Sequence, residues 1–172
     1  IASVRAGNVI GGGDWSRDRL IPDIVRGSID GKVSLRNPNS VRPWQHVLEP
    51  LGAYLGLAEK LIADVPSIDT SFNFGPNIDD HKPVWLVAEA IAQELGHSTI
   101  VSDSNTAQKH EAVMLTLDCS KARQILGWKP RWNFQRTVQM TVDWYKAFSE
   151  DTNMKDFTEK QIDDFMNDSP YL

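Results

Sequence analysis

IASVRAG at residues 1–7 and TSFNF at residues 70–74 decide the fold of this chain. Each is a short apolar run that gives way to a glycine, and one long amphipathic stretch lies between them. Strand, helix and strand in that order predict a parallel crossover unit. Two parallel strands alone make a poor sheet, because parallel sheets are normally covered and flanked. The pattern therefore predicts neighbouring strands from chain upstream of Ile1. The opening residue, an isoleucine inside an apolar segment, reads the same way, as a cut.

Working outward, residues 8–17 (NVIGGGDWSR) read as turn, since three consecutive glycines suit neither a helix nor a central strand. A helix is expected over residues 20–31, with Pro22 in its first turn. Residues 33–36 and 41–47 read as short extended segments around a turn at 37–39. The long amphipathic helix places Leu51, Leu55, Ala58, Leu61 and Ile62 on one face. A second helix covers 83–95 and stops at Gly96. Strands are expected at 98–102 and 112–117. Asp118 and Asn133 stand where N-caps belong for helices over 120–126 and 134–148. Thr158 with Gln161 forms a capping-box pattern for a last helix.

Composition narrows the function classes. The 172 residues carry a net charge of -5, which disfavours a general nucleic-acid binder. No apolar run approaches a membrane span, and no signal-peptide pattern opens the chain. The one cysteine, Cys119, has no partner for an internal disulfide, so a cytoplasmic location is expected. His46, His81, His97 and His110 have no metal-ligand spacing, and no metal site is expected. Gly11 to Gly13 fall short of a dinucleotide fingerprint, because Ser16 stands where the third glycine belongs. The Tyr-x-x-x-Lys pair of short-chain dehydrogenases is also absent: Ala58 follows Tyr54 and Ser149 follows Tyr145 at that spacing, and Tyr171 has nothing. A thiol nucleophile would rest on Cys119 alone, and a packed structural thiol is the better reading.

Polar residues remain at strand ends and in the adjoining loops: Asn8, Asp18, Arg19, Arg36, Arg42 and Asn73. Ligands of open α/β sheets sit outside the carboxyl ends of the strands. Arginine forks and neutral amides gathered there suit a diphosphate. Taken singly, each arginine reads more readily as a solvated surface charge.

The strings VRAGNVIGGGDWSRDRLIPD, RNPNSVRPWQHVLEPLGAYL, SFNFGP and HEAVMLTLDCSKARQILGWKP resemble, in order and spacing, the extended short-chain dehydrogenase/reductase family. The resemblance spans residues 1 to about 148 and is to its sugar-nucleotide dehydratases and epimerases. Within that resemblance, GGGDW with DRLIPD, and RPWQHVLEPL, are most similar to the branch that acts on CDP-glucose. The implied fold is α/β: the C-terminal part of an NAD-binding Rossmann-type fold, with its last parallel strands at about 1–7 and 70–74 and a small mixed α/β substrate-binding subdomain. Residues 149–172 are expected to form an acidic helical tail outside the match.

By that resemblance Asn8 holds the sugar-bearing phosphate, while Arg19 and Leu20 line the phosphate and sugar pocket. Arg36 lies near the base or ribose, Arg42 pairs with the diphosphate, and Asn73 helps to fix it. Glu111 falls near a ribose-binding position, and Ala6 brushes the nicotinamide side of the cofactor. Trp44 and Trp128 are expected in the core, whereas Trp15 is open to stacking on a ligand.

In the family's reaction hydride leaves sugar C4 for NAD, water is eliminated across C5 and C6, and hydride returns to C6. The family's tyrosine base, its lysine and its NAD loop all precede the matched stretch, so no catalytic residue is expected in this chain. The resemblance also implies a homodimer as the full-length enzyme. The alternatives are a dehydratase or epimerase acting on another nucleotide sugar, and a non-enzymatic nucleotide-sugar-binding module.

Overall fold

The computed structural model describes residues 1–30, 33–35, 37–63, 71–96, 100–102 and 112–170. The chain runs β1 (Ser3–Ala6), β2 (Asn8–Ile10), α1 (Leu20–Asp30), β3 (Val33–Leu35), β4 (Val41–His46), α2 (Leu48–Ile62) and β5 (Ser71–Phe74). A 3-10 turn (Ile78–Asp80) then leads into β6 (His81–Pro83), α3 (Val84–Glu94), β7 (Ile100–Ser102), α4 (Ser120–Leu126), α5 (Phe134–Ser149) and α6 (Met154–Asn167).

The crossover unit is present. β1 and β5 pair in parallel, from Ser3 opposite Ser71 to Ala6 opposite Phe74, with α2 between them in sequence. Gly7 breaks the chain between β1 and β2, and a Cβ there would overlap the Pro43 carbonyl, so only glycine lets the backbones pass. The stretch read as turn from Asn8 onward begins instead as a strand. β2 pairs in parallel with β4, which pairs antiparallel with β6, giving a mixed sheet. β3 and β7 form a separate parallel pair. Residues 112–117 make one bridge, Val41 to Met114, where a strand was expected.

The face of α2 also differs from expectation. Glu49, Pro50, Ala53 and Leu57 are buried, while Leu55 and Ile62 are 68% and 85% exposed. The helix carries two apolar rows, and the one with the small Ala53 packs against Phe72, Phe74 and Ala122. A larger core gathers Ile21, Ile24, Trp44, Val87, Ile91, Val138 and Tyr145 from α1, β4, α3 and α5. Trp128 lies edge-on to Phe74 at 5.2 Å, so Trp44 and Trp128 both pack as expected.

Helix ends follow local chemistry in most places. Asn133 accepts the Arg136 N–H at 2.9 Å, and Gly96 and Gly127 take positive φ values of 78° and 65°. Asp118 accepts the Ser120 N–H, although the residue at the cap position itself is Cys119. α6 departs from its predicted start. Asn153 caps it through the Lys155 and Asp156 N–H groups, and the capping-box pair serves tertiary docking. The Thr158 hydroxyl accepts from the Trp144 indole, and the Gln161 amide donates to the Met140 carbonyl, both on α5. Phe165 of α6 meets Trp132 at 5.1 Å, so the acidic tail packs into the fold. Among the described residues no helix is long and apolar enough to cross a membrane.

Candidate nucleotide-sugar site

A cavity of about 750 Å³ opens at the carboxyl end of β2. Its walls come from β2, the loop from Gly11 to Arg19, the first turn of α1, β3 and β4. The structure brings Asn8, Arg19, Leu20 and Arg42 together around this one space. Trp44, Ile10 and Leu35 supply apolar floor. Arg42 is half-buried, and its Nη1 donates to the carbonyls of Val41 and Ala112, both at 2.9 Å. An arginine carries five N–H donors in a planar fork, and these two bonds fix the orientation of that plane.

Two of the sequence candidates stand elsewhere. Asn73 does not line the cavity; its amide donates to the Asp118 carbonyl at 3.0 Å. Ala6 ends β1 one residue before the cavity wall begins at Gly7. Arg36 and Glu111 lie outside the described residues, as do His97 and His110. Trp15 does not line the cavity; it lies 5.2 Å from both Tyr145 and Phe148, so it packs on protein where ligand stacking had been open.

Reading strand ends alone missed the loop's own polar groups. Asp14 and Ser16 also line the cavity, as do Asn37 and Ser40. Burial would raise the Asp14 carboxyl, but hydrogen bonds from Ser16 and the charges of Arg19 and Arg26 outweigh it and hold the group below its ordinary range. Asp14 is thus a fixed negative charge and a hydroxyl acceptor at neutral pH. Asp18, another cavity residue, adopts a φ of 61°. Asp23 is paired with Arg26 at 2.7 Å, so its charge is balanced within α1.

The three glycines have a steric reason. A Cβ on Gly11 would sit 2.7 Å from Val47 Cγ1, one on Gly12 would overlap the Trp144 ring, and Gly13 has a φ of 77°. At Gly12 and Gly13 the loop therefore lies against Trp144 of α5. Gly12→Ala is expected to destabilise the protein by roughly 1–3 kcal/mol, the range for overpacking. Urea unfolding of the variant measures this, and wild-type stability would remove the packing explanation.

Neither the glycines nor Cys119 make a reactive centre. The glycine run ends well before α1 begins at Leu20, and it rests on Trp144, so it forms no dinucleotide cradle on that helix. Burial pushes the Cys119 thiol up, away from a reactive thiolate.

No family model matches the chain. It is 44% identical over 168 residues to the CDP-glucose 4,6-dehydratase of Salmonella typhimurium, a match covering 97% of this chain and 47% of that protein. The match reaches into the acidic tail, which the sequence reading had left outside. Among solved structures, the dTDP-glucose 4,6-dehydratase of Bacillus anthracis in complex with NAD superposes with a TM-score of 0.66 at 24% identity, over 86% of this chain and 44% of that one. The UDP-glucose 4-epimerase of Thermotoga maritima with UDP-glucose gives 0.68 at 19% identity, over 85% and 46%. The chain thus spans about half the length of the proteins it matches. It has the α/β fold of these sugar-nucleotide dehydratases and epimerases and is similar, over nearly all of its own length, to about half of CDP-glucose 4,6-dehydratase.

Proposed function

We propose that this chain binds a nucleotide sugar, CDP-glucose in first place, as the substrate-holding share of an NAD-dependent 4,6-dehydratase. The observation that carries the reading is the convergence of Asn8, Arg19, Leu20 and Arg42 on one cavity in a chain 44% identical to such an enzyme. In this reading Arg42 meets the diphosphate with its fork, and Asn8 donates its amide to the sugar-bearing phosphate. Arg19 and Leu20 line the sugar side, where Asp14 accepts hydroxyl hydrogens. Asn73 serves indirectly, holding the Asp118 backbone. Arg36 and Glu111 keep the nucleoside roles that the resemblance implies.

NAD, when bound, supplies the hydride acceptor and donor for sugar C4 and C6. Among the described residues Ala6, at the end of β1, is the candidate to touch it. The chain's own part is positioning: holding glucose in one orientation lowers the entropic cost of the reaction. The reading includes a cytoplasmic, homodimeric enzyme in which residues 1–148 form the substrate-binding part and 149–172 its helical tail.

Calorimetric titration with CDP-, dTDP-, UDP- and GDP-glucose tests the proposal. CDP-glucose is expected to bind tightest; preference for another of the four defeats the nucleotide assignment, and no binding at all defeats the site. With NAD and CDP-glucose the 172-residue chain is expected to give no turnover, since none of its tyrosines has a lysine four residues on. Any 4-keto product would overturn the division between binding and chemistry.

A further inference from the structure

The loop from Gly11 to Ser16 has two faces. One lines the cavity through Gly11, Gly12, Asp14 and Ser16. The other is fastened from outside the site. The Tyr145 hydroxyl, on α5, donates to the Asp14 carbonyl at 2.7 Å, and the Tyr145 ring packs edge-on against Trp15. Trp144 lies under Gly12 and Gly13 and is braced in turn by Thr158 of α6. From α1, Arg26 donates to the Trp15 carbonyl at 3.0 Å and the Ser16 carbonyl at 2.9 Å.

A run of three glycines loses more backbone freedom on ordering than any other sequence. Left loose, such a loop would charge its ordering cost to the ligand; anchored beforehand, it would not. We infer that Tyr145 is a positioning residue for nucleotide-sugar binding, holding the Gly11–Ser16 wall of the cavity in place through the Asp14 carbonyl, with Arg26 as the second anchor. This rests on the functional reading above. Tyr145 itself is buried and makes no part of the cavity wall, so its effect on a ligand passes through the loop. Burial, with the Asp14 charge nearby, pushes its phenol up to about 12, so the hydroxyl stays a donor throughout the working pH range.

Tyr145→Phe keeps the ring and its packing and deletes one hydrogen bond. Its affinity for CDP-glucose is expected to fall about five- to tenfold, the scale of one such bond. Amide hydrogen exchange should quicken across residues 11–16 while the α5 amides stay protected, a local signature that general destabilisation would not produce. Arg26→Gln should weaken binding in the same sense. If wild type binds CDP-glucose and Tyr145→Phe binds it equally well, this inference alone fails. If wild type binds none, the functional reading fails and the inference goes with it. Should Tyr145→Phe not fold, undiminished affinity in Arg26→Gln overturns the inference.

Discussion

Arg42→Ala is expected to weaken CDP-glucose binding by at least about a hundredfold, by far the largest loss among single changes at the cavity. Two charge-assisted hydrogen bonds to phosphate oxygens are each worth about 1.5–3 kcal/mol, and about 1.4 kcal/mol is tenfold in affinity. Arg42 is suited to making such a pair because its orientation is settled before the ligand arrives. The carbonyls of Val41 and Ala112 hold its Nη1, and the strand beneath it is fixed by the pairing of Arg42 with Lys82. That backbone pairing survives truncation of the side chain. Arg42→Lys keeps the charge but replaces a planar fork by a point charge, so only part of the affinity should return. Calorimetry on the two variants, beside their thermal midpoints, separates lost contacts from lost fold. Affinity unchanged in Arg42→Ala would remove the diphosphate from this part of the cavity.

How far this site was legible depends on how far each side chain reaches for its partner. Asn8, Arg19 and Arg42 were legible as candidates because ligands of α/β sheets gather beyond the strand ends, a rule of topology. Asp14 and Ser16 were not, because the loop that carries them looks like slack until Trp144 and Tyr145 are seen beneath it. The bond from Arg42 to Ala112 crosses 70 positions, and nothing local in RPWQH announces it.

The fold divides in the same way. β1, β5 and the helix between them declare themselves through apolar runs and bounding glycines, and Asn133, Gly96 and Gly127 act on their own neighbours. β2 and β6 are three residues each, too short to show a period, and exist because β4 lies between them. The choice between the two apolar rows of α2 is made by Phe72, Phe74 and Ala122, which lie in other elements. Thr158 and Gln161 show the remaining difficulty. The same pair that caps a helix in one setting serves as hydrogen-bonding side chains for α5 in another.

A second large effect concerns stability, and two buried groups set it in opposition. His46, at the end of β4, is 2% exposed and Glu49, in the first turn of α2, is 1% exposed. His46 Nδ1 accepts the Leu48 N–H, and its Nε2 is buried without a partner. Burial holds the ring down at about 3, against 6.5 for a free histidine. The folded state therefore keeps it neutral, and the stability it contributes is whole above pH 6.5 and is lost as pH falls toward 3. Glu49 accepts the Arg131 and Trp132 N–H groups at 2.8 and 2.7 Å, yet burial still pushes its carboxyl up to about 7 from 4.5. Its folded form favours the proton, so its contribution is whole below pH 4.5 and falls as pH rises to 7.

Between pH 4.5 and 6.5 the two slopes have opposite signs and cancel, which leaves the wild type nearly flat with respect to this pair. Glu49→Gln keeps a carbonyl oxygen for both backbone donors and removes the titration. Its folding constant should then rise about tenfold per pH unit across that window relative to wild type, one proton's worth of linkage. His46→Asn retains an acceptor for Leu48 and should show the reverse, a fall of about the same size. His81, which burial also depresses, and Asp80, which burial raises, contribute equally to variant and wild type and drop out of the difference. Urea unfolding at pH 4.5, 5.5 and 6.5 reads both slopes directly. Parallel pH profiles for Glu49→Gln and wild type would mean that the carboxyl is ionised in the fold throughout, its two backbone donors outweighing its burial.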